Sequence, residues 1–318
     1  MSEMLTTFCR GRELQLLWQP ELETITDRIA EGFVPIEMAE GTVSYVDFRC
    51  LDHHNDYSHL PSACVTALAF YGSLGEDGPA RLMVNHTDAD SVLTGVTLLG
   101  LLPRELLEKL NPEVGLLDTD PLNADAQGLR YGDAIRLWKA GMASVRQSGW
   151  SWLYGMQLYL DLFEHFAYYK KRAEQLNDRE RARRERALEE YARAVTSPSG
   201  KALLVAPSAV RGHDVHFFRQ EAFSPRSLEG WRHWCVISHV QKAGNVMLAC
   251  PNRAVAERAF GPGGLKNVFP RLPRVEGKEW GGRESVGGSP RGVVFPAELL
   301  PLVLKTIEES LLSNKEGA

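Results

Sequence analysis

Residues 81–102 read RLMVNHTDADSVLTGVTLLGLL. Residues 82–85 have strand character and end abruptly in His86, Asp88 and Asp90. An apolar run with small residues begins at Ser91 and predicts a buried helix to about Leu102. Three potential metal ligands within five residues, at the C-terminal end of a strand, sit where open α/β sheets place their chemistry.

Two other stretches repeat this pattern. Residues 42–48 (TVSYVDF) alternate as a strand does, and LDHHND follows at 51–56. Asp47, Asp52, His53, His54 and Asp56 make a second dense cluster. Residues 114–117 (VGLL) predict a third strand, closed by Asp118 and Asp120. Residues 61–72 read as a helix opened by Pro61 and closed by glycine, and Pro103 opens another helix to Leu110. The expectation is α/β: a parallel sheet flanked by helices, with the ligands of three strands converging at one edge.

The 318 residues allow two domains of ordinary size. A hydrophobic content of 44% and a charged content of 24% read as soluble and globular. No apolar run is long enough to span a bilayer, and the first residues lack the apolar core of a signal peptide. A cytoplasmic location without membrane partners follows as the expectation. Five scattered cysteines with no CxxC pair argue against a disulfide framework and against structural zinc. Charge divides unevenly: residues 1–150 hold 11 basic against 22 acidic side chains, residues 200–318 hold 16 against 11. That split suits a metal site in the first part and an anion-holding surface in the second, or simply two different solvated surfaces.

Residues 1–40 offer a short helix around 20–30 and no obvious chemistry. Residues 123–149 look irregular. From Trp150 to about Ala194 one or two long helices are expected, aromatic at first and charge-dense later; the basic run 179–186 reads as a solvated face. The TSPSG stretch at 196–200 breaks the helix. Three parts are therefore expected: a metal-binding α/β domain over 1–149, a helical linker over 150–199, and a smaller α/β (α+β) domain over 200–318. In the last part, strands are expected at 202–206, 234–239 and 246–249, with helices at 254–260 and 297–312.

Aspartate and histidine together suit borderline divalent ions such as Mn²⁺, Co²⁺, Fe²⁺ or Zn²⁺. The number of candidate ligands suggests two ions rather than one. His53 and His54 point to opposite sides of an extended backbone, so one is expected to ligate while the other faces substrate. A plainer reading makes Asp90 the cap of the helix at Ser91 and leaves Asp118 and Asp120 to organise a turn. The glycine-rich stretch 280–292 carries Gly281, Gly282, Arg283, Gly287, Gly288 and Arg291. Bare backbone and forked donors there suit an anion, and the alternative is a turn between strands.

With these residues in view, the chain resembles the DHH phosphoesterase superfamily. Asp52-His53-His54 matches the motif that names it, and His86-Thr87-Asp88-Ala89-Asp90-Ser91 matches its His…Asp-x-Asp loop. The 281–288 element looks like a variant of the glycine-rich motif of the DHH-associated domain, with Arg283 where histidine is usual. The two main motifs stand in the reverse of the family's order, which a permuted sheet can accommodate. The resemblance implies that His86, Asp88, Asp90 and His53 bind metal and that His54 faces the scissile phosphate; Asp52 is expected as a further metal ligand from its place in the cluster. Asp118 would be the bridging carboxylate, with Asp47 as competitor. It further implies two divalent ions, Mn²⁺ first among them, and a metal-bound hydroxide that hydrolyses a phosphorylated small molecule or short oligonucleotide. A homodimer is compatible with this reading. Two other functions compete: a catalytically silent DHH-like protein that binds a nucleotide or a partner, and a haloacid-dehalogenase-like phosphatase with Asp118 as nucleophile.

Overall fold

The computed structural model describes residues 2–19, 25–40, 43–45, 51–54, 60–75, 78–119, 128–208, 215–223, 231–240, 244–290 and 292–313. The chain opens with a hairpin, β1 (Glu3–Cys9) and β2 (Arg12–Trp18), paired from Glu3↔Trp18 to Cys9↔Arg12. Its two-residue turn puts Arg10 at φ 50° and Gly11 at φ 79°, the left-handed pair that such tight hairpins need. Arginine is a poor signal for that conformation, and the sequence reading missed both strands.

Next come α1 (Ile25–Ala30), β3 (Val34–Pro35), β4 (Met38–Glu40), β5 (Val43–Tyr45) and α2 (Ala63–Ala67). The founding stretch then forms a strand and a helix in the expected order, β6 (Ala80–Val84) and α3 (Ala89–Leu98), with the helix starting before Ser91 and ending short of Leu102. The main sheet has the order β1-β2-β6-β3, with β2 and β3 both parallel to β6. Alternation gives it two apolar faces. Leu16, Leu82 and Val84 belong to the large core with α3 and the later helices, while Leu17 and Met83 pack with Ile25, Phe33 and Met38.

Two expected strands do not take their places in this sheet. β5 pairs antiparallel with β4 in a separate two-stranded sheet. Residues 114–117 lie in α4 (Arg104–Thr119), which runs through Pro112. Its buried positions are Leu107, Leu110, Asn111, Val114 and Gly115, a helical spacing that ties the VGLL stretch to the turns before it. Pro112 is exposed on the opposite side, so the missing N–H does not disturb the packed face.

Two helices, α5 (Gly132–Met142) and α6 (Gly149–Glu164), follow in the first part, and α7 (Phe166–Ala192) begins in it and continues past Asn177. α3 and α6 approach closely because Gly95 has no side chain; a Cβ there would meet the Trp152 ring at 2.2 Å. The second part contains β7 (Val195–Thr196), β8 (Ala202–Ser208), α8 (Val215–Phe223), β9 (Cys235–Val240), β10 (Asn245–Ala249), α9 (Arg253–Phe260), β11 (Gly281–Gly282), β12 (Val286–Gly288) and α10 (Leu300–Ser313). Its sheet order is β11-β12-β10-β9-β8-β7, antiparallel except for β8 with β9. The chain divides into two compact units, Met1–Asn177 and Asp178–Ala318. Among the described residues no helix is long and apolar enough to cross a membrane.

Candidate metal centre

β3 and β6 are parallel neighbours (Val34↔Leu82, Pro35↔Met83), so their C-terminal ends lie side by side. The Ile36 N–H extends the pairing by donating to Met83 O at 2.9 Å. Glu37 follows at φ 46°, a left-handed conformation that glutamate adopts at a cost of about 1–3 kcal/mol. Its N–H donates to Leu51 O at 2.9 Å, which ties the segment bearing Asp52, His53 and His54 to the end of β3. The Glu37 side chain is almost wholly buried.

The loop after β6 is pinned from the residues that lead into α6 and from its first turn. The Gln147 amide brackets Thr87: its Oε1 accepts from Thr87 N–H at 2.6 Å and its Nε2 donates to Thr87 O at 2.9 Å. Thr87 Oγ1 also meets Ser151 Oγ at 2.8 Å. Asp88 is the N-cap of α3, accepting from Ser91 N–H at 2.8 Å. Asp90 is fully buried and caps a different helix from the one anticipated. Its two oxygens accept from Ala63 and Cys64 N–H, each at 2.9 Å, at the start of α2.

These elements converge on Glu37. His53 Nε2 lies 2.8 Å from Glu37 Oε1, 3.1 Å from Asp118 Oδ2 and 3.4 Å from Asp90 Oδ2. His86 Nε2 lies 3.3 Å from Asp88 Oδ2 and 3.5 Å from Glu37 Oε2. Three groups have ligand atoms within 4.8 Å of one another: Glu37–His53–Asp90–Asp118, Glu37–His86–Asp88 and Glu37–His53–His54. Glu37 belongs to all three. Asp118 reaches the site from the last turn of α4, not from a strand, and among the described residues its histidine partner is His53. The carboxylate with one oxygen toward each histidine is Glu37.

His53 and His54 do not diverge. Their ring centroids are 4.7 Å apart, and the His54 and His86 rings are 6.1 Å apart. Asp52 joins none of the three groups among the described residues. It holds His54 instead, with Oδ1 2.6 Å from Nδ1 and accepting the His54 N–H at 2.9 Å. This is the carboxylate–imidazole pairing that orients a metal-ligating or substrate-facing histidine.

The electrostatics fit a cation. One imidazole N–H can point at only one acceptor, yet three carboxylates surround His53 Nε2. Burial alone would lower the His53 pKa, but hydrogen bonds to Asp118, Asp90 and Glu37 push it up to about 12. For His86 burial again opposes, and Asp88 and Glu37 push it up to about 11. Burial raises Glu37 well above the usual carboxylate range, and Asp90 and Asp88 add to this. The Asp88 carboxyl is held low against its own burial by His86, as Asp90 is by His53. With both histidines protonated, Glu37, Asp88, Asp90 and Asp118 leave a formal charge of −2 when all four carboxylates are ionised, and −1 when Glu37 carries a proton. Among the described residues, the enclosed Glu37 Oε2 and Asp52 Oδ2 have no hydrogen-bond partner. A buried cluster with excess negative charge and orphaned oxygens is suited to divalent ions.

Asp47, Asp56, Asp120 and Arg291 lie outside the described residues. The remaining glycine-rich residues form the β11–β12 hairpin, beside β10. A Cβ on Gly282 would fall 2.3 Å from Gly287 Cα, and one on Gly287 2.3 Å from the Phe269 ring, so packing alone requires glycine at both. Arg283 is exposed at the bend, its N–H donating to Val286 O at 2.7 Å. The residue that sequence reasoning missed is Glu37. Its signal was present: the apolar run FVPI at 33–36 ends in an acid, as the founding stretch does. No protein-family model, curated protein or solved structure matches this chain.

Proposed function

We propose that the first unit is a DHH-like centre for two divalent ions, Mn²⁺ first among them, and that the protein hydrolyses a phosphate ester or phosphodiester of a nucleotide or short oligonucleotide. The observation that carries this reading is the shared carboxylate. Glu37 turns Oε1 toward the His53 group and Oε2 toward the His86 group, the arrangement a bridging ligand needs. Four carboxylates with neutral imidazoles would balance the charge of two dications.

When bound, such ions acidify a coordinated water and neutralise charge on the phosphoryl group. The protein's own residues supply the rest. Glu37, His53, Asp90 and Asp118 would hold one position, and Glu37, His86 and Asp88 the other. Asp52 accepts from His54 Nδ1–H, which leaves Nε2 of the neutral ring as an acceptor or metal ligand; only the protonated ring would donate from Nε2 toward a phosphoryl oxygen. The reversed motif order is compatible with this, because His53 and His86 come to the same glutamate from segments on either side of α2. The dehalogenase-like alternative required a strand before Asp118, where α4 runs instead.

The test is Mn²⁺-dependent hydrolysis of bis(p-nitrophenyl) phosphate, short oligonucleotides and pyrophosphate, by the wild-type chain and by Glu37→Gln. Turnover should require metal, vanish with EDTA and fall at least ~100-fold in the variant. Metal-independent turnover, or equal turnover by Glu37→Gln, would sink the proposal. Metal binding without turnover on any phosphoester would favour the silent binding protein.

A further inference from the structure

β1 stands at one end of the first unit's main sheet, and among the described residues nothing pairs with its outer side. The hairpin register says which groups lie there. In a two-residue hairpin the residues flanking the turn exchange both backbone hydrogen bonds, and such bonded pairs recur at every second position. Cys9, Thr7, Leu5 and Glu3 therefore bond to β2, while the N–H and C=O groups of Met4, Thr6 and Phe8 point outward. The other side of β2 agrees with this phase: the Gln19 N–H, in the set that faces away from β1, donates to Val84 O.

This edge lacks the usual protection. Strands at sheet ends are normally short, bulged, or marked by proline or lysine. β1 runs for seven residues with an unbroken register and neither of those residues. Met4 and Phe8 are 48% and 72% exposed, with exposed Thr6 between them. The other end strands among the described residues cannot match its length. β3, β7 and β11 have two residues each, and β4 and β5 have three.

We infer that β1 is a dimerisation edge, which pairs antiparallel with β1 of a second copy of this chain, with Thr6 on the twofold axis. An axis across the strand imposes the antiparallel sense. This register joins every outward N–H and C=O group, and it sets Met4 against the partner's Phe8 at both ends. It brings Glu3, at the acidic end of the strand, beside the partner's Arg10 and opposes no like charges. A second copy is the partner because, among the described residues, β1 is the end strand long enough to match β1. The opposite end of the sheet is the two-residue β3, so pairing closes at two chains and does not grow into a filament. The inference does not rest on the metal centre.

Sedimentation velocity of the full chain in EDTA reads the association. A single strand edge is a small interface, so a dimer with Kd of roughly 1–100 μM is expected. Thr6→Pro removes an outward N–H and no bond to β2, and should weaken the dimer at least about tenfold. Phe8→Lys, at an exposed position, should do the same and leave the monomer folded. Thr6→Cys tests the register. Bonded antiparallel pairs have Cα atoms about 5.5 Å apart, within reach of a disulfide. With oxidised glutathione that variant should cross-link to itself on a non-reducing gel, while the wild type and Glu13→Cys should not. If Thr6→Pro fails to fold, Phe8→Lys and Thr6→Cys decide. A chain that stays monomeric at about 200 μM overturns the inference. So does a dimer that Phe8→Lys and a folded Thr6→Pro leave unchanged, or a Thr6→Cys variant that does not cross-link.

Discussion

Glu37 holds the centre together, and its surroundings predict how metal and protons compete. In the metal-free chain His53 and His86 are pushed up to about 12 and 11, so both carry protons at neutral pH. A metal ligand must be a neutral imidazole, so binding has to expel those protons. The sign is definite: affinity for Mn²⁺ should fall as pH drops and keep rising from pH 6 to 9, with at least the two imidazole protons released at pH 7 and Glu37 adding to them where burial keeps it protonated. Calorimetry in buffers of different ionisation enthalpy measures the release; a plateau in affinity above pH 7 would contradict the assignment. Asp52 acts one step back, through His54. Asp52→Asn should weaken Mn²⁺ binding about 10–100-fold while leaving the fold intact. Unchanged affinity in a titration would remove Asp52 from the site.

At the scale of elements, two aspartates that look alike in sequence do different work. Asp90 is buried and joins the start of α2 to α3 through two N–H bonds. Asp118 ends α4 with a third of its side chain exposed. Asp90→Ala should therefore cost about 2 kcal/mol of stability even in EDTA. Asp118→Ala should stay within about 0.5 kcal/mol yet weaken metal binding. Denaturant titrations with and without Mn²⁺ separate the two, and equal losses in EDTA would refute the distinction. β6 and α3 were legible because a short apolar run of strand length gives way to a longer apolar run with small residues, although the cap expected at Asp90 is Asp88. α4 was not, because the helix was read as ending at Leu110 and the short apolar run at 114–117 reads as a strand; only the stripe from Leu107 to Gly115 shows that the helix continues.

At the scale of the molecule, the large core of the first unit draws only on residues from Leu5 to Ala173 and their partly buried neighbours. The second core lies wholly between Ala202 and Leu311. Every described member of the candidate centre lies in the first unit. Residues 1–177 expressed alone should fold and bind Mn²⁺ within a few-fold of the full chain. A folded fragment that fails to bind metal would show that the centre is incomplete without residues beyond 177.

The sequence by itself determined the chemistry on offer: imidazoles and carboxylates gathered at chain turns, a β6–α3 unit to carry one set, and charge unevenly shared between the two ends of the chain. Local patterns encode these because they depend on neighbours three or four residues apart. The tertiary structure alone decided which side chains meet. Pairing β3 with β6 brings Glu37 beside His86, and the Glu37–Leu51 hydrogen bond brings in His53. Those contacts join segments far apart along the chain, and a lone glutamate after a two-residue strand has no periodicity to announce it.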